Sequence, residues 1–147
     1  MHALREPRRL DELLNFRLHM LQAISAAPIV RLLEGRHGIT RREWRLVALL
    51  ADRGALSPSD LAEQGQLDRA RTSRSIGALV DKGLVLRKPL AADPRRARVC
   101  LTEAGQLLYA EVFPHIAAIN SALVSVLDDE VLAVLDTVLE QDRKSVV

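Results

Sequence analysis

Three arginines, Arg69, Arg71 and Arg74, stand among Ala70, Thr72, Ser73 and Ser75, side chains too small to hold a flat surface away from them. A planar guanidinium donates in a fork that fits phosphate oxygens and the guanine edge. This spacing therefore suits a polyanion rather than bond-breaking chemistry. Asp68, just ahead, is a residue type that caps helices. At about 100° per residue, Thr72, Ile76, Leu79 and Val80 share one sector and should face a core. Almost opposite lie Ala70, Arg71, Arg74, Gly77 and Ala78. A merely solvated helix would intersperse Glu with Arg in i,i+4 pairs, and residues 69–80 contain no acid. Double-stranded DNA is the expected partner, with Arg71 and Arg74 on base edges. Arg69, Ala70, Ser73 and Ser75 complete the expected contact set, while Thr72 either donates to a phosphate or back-bonds within its own helix.

Other chemistry finds no constellation. His2, His19, His37 and His115 have no ligand spacing with cysteine or one another that indicates zinc. There is no glycine-rich phosphate loop and no nucleophile motif, so neither an enzyme nor a cofactor or metal is expected. Cys100 is the single cysteine and cannot form an internal disulfide, which points to a reducing compartment. No apolar run approaches the roughly 18 residues of a membrane span, and the N-terminus lacks the apolar core of a signal peptide. The expectation is a soluble, cytoplasmic protein without a membrane partner.

Hydrophobic residues make up 48% of the 147 and aromatics only 3%, so Leu, Val, Ile and Ala must fill the core and a mainly helical fold follows. The net charge of +2 conceals an asymmetry. Residues 66–98 hold nine Lys and Arg against three Asp, while residues 128–147 hold six acids against two bases. Polyanion binding by the middle of the chain fits that division.

The elements that would position the arginines can be read outward. Leu10, Leu13, Leu14, Leu18, Leu21 and Ile24 recur at helical spacing, with a bend or interruption expected near Pro28. Ile29, Leu32 and Leu33 resume the stripe until Gly35 and Gly38 end it. Thr40-Arg41-Arg42-Glu43 has the capping-box pattern and opens a second helix with Trp44, Val47, Ala48, Leu50 and Ala51 partly turned inward. Ala55-Leu56 is too short to be assigned as a strand. Ser57-Pro58-Ser59-Asp60 starts a short helix to about Gln64, and 65–67 turn the chain into the arginine-bearing helix, which Lys82-Gly83 stops. Residues 84–88 and 97–101 read as two strands joined by a basic, proline-containing loop, 89–96. Thr102-Glu103 then starts a long helix that Pro114 should bend or divide, and Asp128-Asp129-Glu130 opens the last one. A helix-turn-helix followed by a basic β-hairpin is the winged-helix arrangement.

The runs 57–63, 67–74 and 79–85, with Leu101-Thr102-Glu103-Ala104-Gly105 after the hairpin, resemble the MarR family of transcription regulators over roughly residues 40–113. The resemblance implies a winged helix-turn-helix lobe at 39–101, with helices at 1–38 and 102–147 interlocking in a homodimer. It implies a ligand-responsive repressor on a pseudo-palindromic operator. In Asp93-Pro94-Arg95 it places Arg95 in the minor groove, held by Asp93; Arg96 and Arg98 are phosphate contacts or solvated charges. The family often binds small aromatic effectors between dimer helices and lobe, for which His19, Trp44, Tyr109 and Phe113 are the candidate lining. The loop from Pro89 to Arg95 is short for the family, and Pro114 falls in a helix that is usually straight. The rival reading is a winged-helix protein-interaction module whose basic face meets an acidic protein surface.

Overall fold

The computed structural model describes residues 4–145, with the side chains of 94, 95 and 142–145 left out. Among the described residues are six α-helices and one two-stranded antiparallel sheet: α1 Leu14–Val30, α2 Arg41–Arg53, α3 Pro58–Gln64, α4 Arg69–Asp81, β1 Val85–Leu90, β2 Asp93–Leu101, α5 Glu103–Val124 and α6 Asp129–Ser145. Five of the six helix starts follow side-chain caps, and α1, which begins behind Leu13, has none. Thr40 and Glu43 form a complete capping box at α2. Ser57, Asp68, Thr102 and Asp128 each accept from an amide three residues on. Each such cap stabilises its helix by about 1 kcal/mol.

The lobe is built on one apolar cluster, in which Leu46, Val47 and Leu50 of α2 meet Leu61 of α3, Ile76 and Leu79 of α4, and Val85 and Val99 of the sheet. Leu46 is fully buried, and Ala48 and Ala51 are half-buried, as expected of residues only partly turned inward. A second cluster joins Leu32, Leu33 and Ile39, just before α2, to Val112 of α5. Trp44 and Leu84 pack against both clusters.

Several expectations are corrected. Pro28 does not interrupt α1, which runs to Val30 and continues as a π-helical turn, Arg31–Arg36. Pro114 does not divide α5. A proline removes one amide donor, and its exposed ring at 114 leaves the hydrogen-bonded turns on either side intact. The sheet is longer than expected: β1 reaches Leu90, β2 begins at Asp93, and Ala91-Ala92 alone make the turn. Pro89 is accommodated in β1 opposite Ala97, followed by a register shift. Leu56 exchanges hydrogen bonds with Val99 at 3.0 and 2.8 Å, an isolated bridge beside the two strands that keeps to the expectation of a pair too short for a strand. Helix α5 is, by length and composition alone, apolar enough to cross a membrane, contrary to the reading of the sequence. Its first turn and Val112 are nevertheless packed into the lobe.

Much apolar surface lies open at the chain ends. Leu14, Leu18, Leu21 and Ile24 on α1, Leu107 and Phe113 on α5, and Val134, Val138 and Leu139 on α6 are all exposed. Large apolar side chains left open in this number on three helices point to an interaction surface.

Candidate nucleic-acid interface

Helix α4 presents its arginines because its other face is locked down. Thr72, Ile76 and Leu79 are buried, and the Thr72 hydroxyl donates to Asp68 O at 2.8 Å. Thr72 is therefore the back-bonding residue and has no proton left for a phosphate. The Asp68 carboxylate accepts from the Arg71 amide at 2.8 Å, which holds the first turn with its positive end outward. At the far end the Leu84 amide returns to Leu79 O at 3.0 Å, and Gly83 takes the left-handed φ of +70° that a helix stop of this kind needs.

The expected contact residues of α4 lie on the open parts of its first two turns. Arg69, Ala70, Arg71, Ser73 and Arg74 are exposed and Ser75 is half-buried. Val80 was expected inward but is 37% exposed, because α4 packs against α2, α3 and β1 over a narrower arc than its apolar spacing suggests. Gly77 and Ala78 are half-buried, so the open face is confined to the first two turns.

The hairpin adds a second basic surface. Lys88 and Arg98 are cross-strand partners, both exposed. Like charges directly opposite destabilise an antiparallel pair, and a bound polyanion would reverse that sign. Arg98 also donates to Ala55 O at 3.2 Å, which fastens the hairpin base to the segment ahead of α3. A groove of about 450 Å³ runs between the start of α3 and this strand face, lined by Ser57, Ser59, Arg96 and Arg98 among others. Lys88 did not stand out as a contact in sequence; its signal is the antiparallel register opposite Arg98, which becomes visible only once the strands are paired. Arg96 Nε lies 3.9 Å from the Asp93 carboxylate, an exposed and weak pair. The Arg95 side chain lies outside the described residues, so its pairing with Asp93 stays an expectation.

Of the four candidate effector residues, three come together. The Trp44 and Tyr109 rings stack with centroids 5.7 Å apart, and Tyr109 and Phe113 follow at 5.3 Å. His19 sits exposed on α1 and makes no ring contact with them. The Tyr109 hydroxyl donates to Asp52 at 3.3 Å. Its pKa is raised by burial first, then by the Asp52 charge and by that hydrogen bond. Among the described residues, no three His, Cys, Asp or Glu side chains gather as a metal site would require; His2 lies outside them.

Residues 37–96 match the profile of the MarR family. The chain is 33% identical to the HTH-type transcriptional regulator FarR of Neisseria gonorrhoeae over 106 residues, 72% of this chain and 73% of that one. It is 35% identical to the homoprotocatechuate degradative operon repressor of Escherichia coli over 95 residues, 61% of this chain and 62% of that one. The crystal structure of NadR in complex with 4-hydroxyphenylacetate superposes with a TM-score of 0.77 at 28% identity, covering 90% of this chain and 96% of that one.

Proposed function

Because the chain belongs to the MarR family and is a DNA-binding transcription regulator, we propose that it acts as a homodimeric repressor whose α4 helices read two halves of a pseudo-palindromic operator. The observation that carries this reading is the exposed, arginine-bearing start of α4, where Arg71 and Arg74 stand opposite the buried face, Arg69 is exposed at the first turn, and the helix carries no acid before Asp81. In the proposed complex Arg71 and Arg74 meet base edges, Ser73 and Ser75 meet phosphates, and Arg95 enters the minor groove from the wing. Arg96, together with Lys88 and Arg98, neutralises backbone charge beside it.

Dimerisation is supported by the exposed apolar side chains of α1, α5 and α6. A two-fold pair buries them in the commonest oligomer symmetry and would set the two α4 helices about one DNA turn, roughly 34 Å, apart. Residues 1–38 and 102–147 would then be the pairing arms and 39–101 the reading lobe. Light scattering on the eluted protein should give twice the chain mass.

The repressor would respond to a small aromatic ligand. The Trp44, Tyr109 and Phe113 row supports that reading, as does the likeness to a protein solved with 4-hydroxyphenylacetate. Such a ligand lowers DNA affinity only if it binds the two lobe spacings unequally.

Titration of duplex DNA across salt concentrations tests the reading. Affinity should fall by about 0.9 log unit per log unit of salt for each phosphate neutralised. Arg71→Ala should reduce discrimination for the operator by about 1–3 kcal/mol, roughly fivefold to 150-fold. Sequence-blind binding that ignores this substitution would refute it and favour docking to an acidic protein surface.

A further inference from the structure

An ion pair ties the far end of the reading helix to the segment that joins the lobe to α1. Lys82, the residue that closes α4, donates from Nζ to Glu43 Oε2 at 2.7 Å and to Gly38 O at 2.9 Å. Glu43 is 5% exposed, and the same Oε2 accepts the Thr40 amide at 2.9 Å as part of the α2 capping box. One ammonium thus joins three parts: the end of α4, the first turn of α2, and the carbonyl of the last residue but one before the Thr40 cap. The other ion pairs described, Arg9–Asp11 and Arg96–Asp93, join near neighbours in sequence. This one spans 39 residues.

Apolar packing already attaches the two sides, since Trp44 and Leu84 of the lobe pack against the cluster of Leu32, Leu33, Ile39 and Val112. Such packing is non-directional, whereas hydrogen bonds constrain distance and angle together. The cluster holds the joint closed, and the Lys82 bridge sets its angle. Placement at the end of α4 is also electrostatically favourable, because a cation there meets the negative end of the helix.

We propose that Lys82 and Glu43 are positioning residues that fix the angle between α4 and the α1 arm, and thereby the half-site spacing that a dimer accepts. This inference rests on the DNA-reading function proposed above. Neither residue is assigned a DNA contact in that reading. Without the bridge, each lobe pivots on its apolar joint, and the two reading helices no longer hold one separation.

Selection from a randomised duplex pool tests this, with the full-length protein and its Lys82→Met, Lys82→Arg and Glu43→Gln variants and with Tm measured alongside. The parent protein should select paired half-sites at one dominant spacing. Lys82→Met and Glu43→Gln should select the same half-site over a spread of spacings. Their affinity for the parent-spaced duplex should fall by about fivefold or more, the scale of ordinary coupling between sites. Lys82→Arg keeps a cation with several donors and should restore the single spacing. Glutamine is itself a capping-box residue, so Glu43→Gln keeps the helix start and carries the test if Lys82→Met fails to fold. A variant that loses thermal stability yet keeps the single spacing overturns the proposal and leaves the pair a purely structural bridge. A parent protein that selects no half-site overturns the DNA-reading function and this inference together, which is a distinct result.

Discussion

Replacing Gly105 by alanine sets two effects of opposite sign against each other. Residue 105 lies in the first turn of α5, where alanine is favoured over glycine by about 1 kcal/mol on helix propensity alone. Its backbone, however, lies against the start of the wing. An added Cβ would fall 2.1 Å from Leu84 O, 3.1 Å from Leu84 C and 3.2 Å from Leu101 Cδ2. The nearest of these is a carbonyl oxygen that accepts the Thr102 amide at 3.1 Å, so it cannot swing aside as a side chain would. Relieving the overlap requires the start of α5 and the strand to separate by about 1 Å. That movement strains the overpacked joint by about 1–3 kcal/mol and weakens the Thr102 to Leu84 hydrogen bond, about 1 kcal/mol. It also disturbs the Thr102 cap on the Gly105 amide, about 1 kcal/mol more. Against the gain in propensity, the net loss is about 2–4 kcal/mol. For a chain of this length that lowers Tm by roughly 5–15 °C. Thermal unfolding followed by circular dichroism, at matched protein concentration because pairing raises apparent stability, reads the difference. A variant that melts at or above the parent temperature would show that propensity wins and that the close approach is not what the glycine is for.

Asp68→Ala removes the cap on α4 and should cost about 1 kcal/mol of stability; Asp68→Asn should recover most of it in denaturant titrations, and equal losses for both would refute a capping role. Tyr109 is the one tyrosine of the chain, and its raised pKa means that the fold favours the neutral phenol. That contribution is whole below the unfolded value, near 10, and is lost as pH rises through the folded one. Phenolate absorbance should therefore titrate later in the folded protein than in denaturant, and Tyr109→Phe should flatten the alkaline fall in stability; coincident titration curves would contradict this.

The parts of the molecule legible in its residues are those settled by short-range chemistry. Thr40 with Glu43, Ser57, Asp68, Thr102 and Asp128 cap their helices through bonds to amides three residues away. No distant partner enters such a bond, so sequence order suffices to place the helix starts. The arginines of α4 were legible for the same reason, since helical periodicity alone separates Arg71 and Arg74 from Ile76 and Leu79. Tertiary structure decided what periodicity leaves open. Val80 shares the apolar sector of α4, yet no neighbour reaches far enough round the helix to cover it. Leu56 forms a β-bridge only because Val99 presents its amide and carbonyl, and the wing lengthens because β1 and β2 find a register that carries Pro89. Trp44, Tyr109 and Phe113 gather while His19 does not, and Lys82 finds Glu43 from the other end of the lobe. Each of these outcomes depends on a surface supplied by a segment far away in the chain, which packing creates and local spacing does not encode.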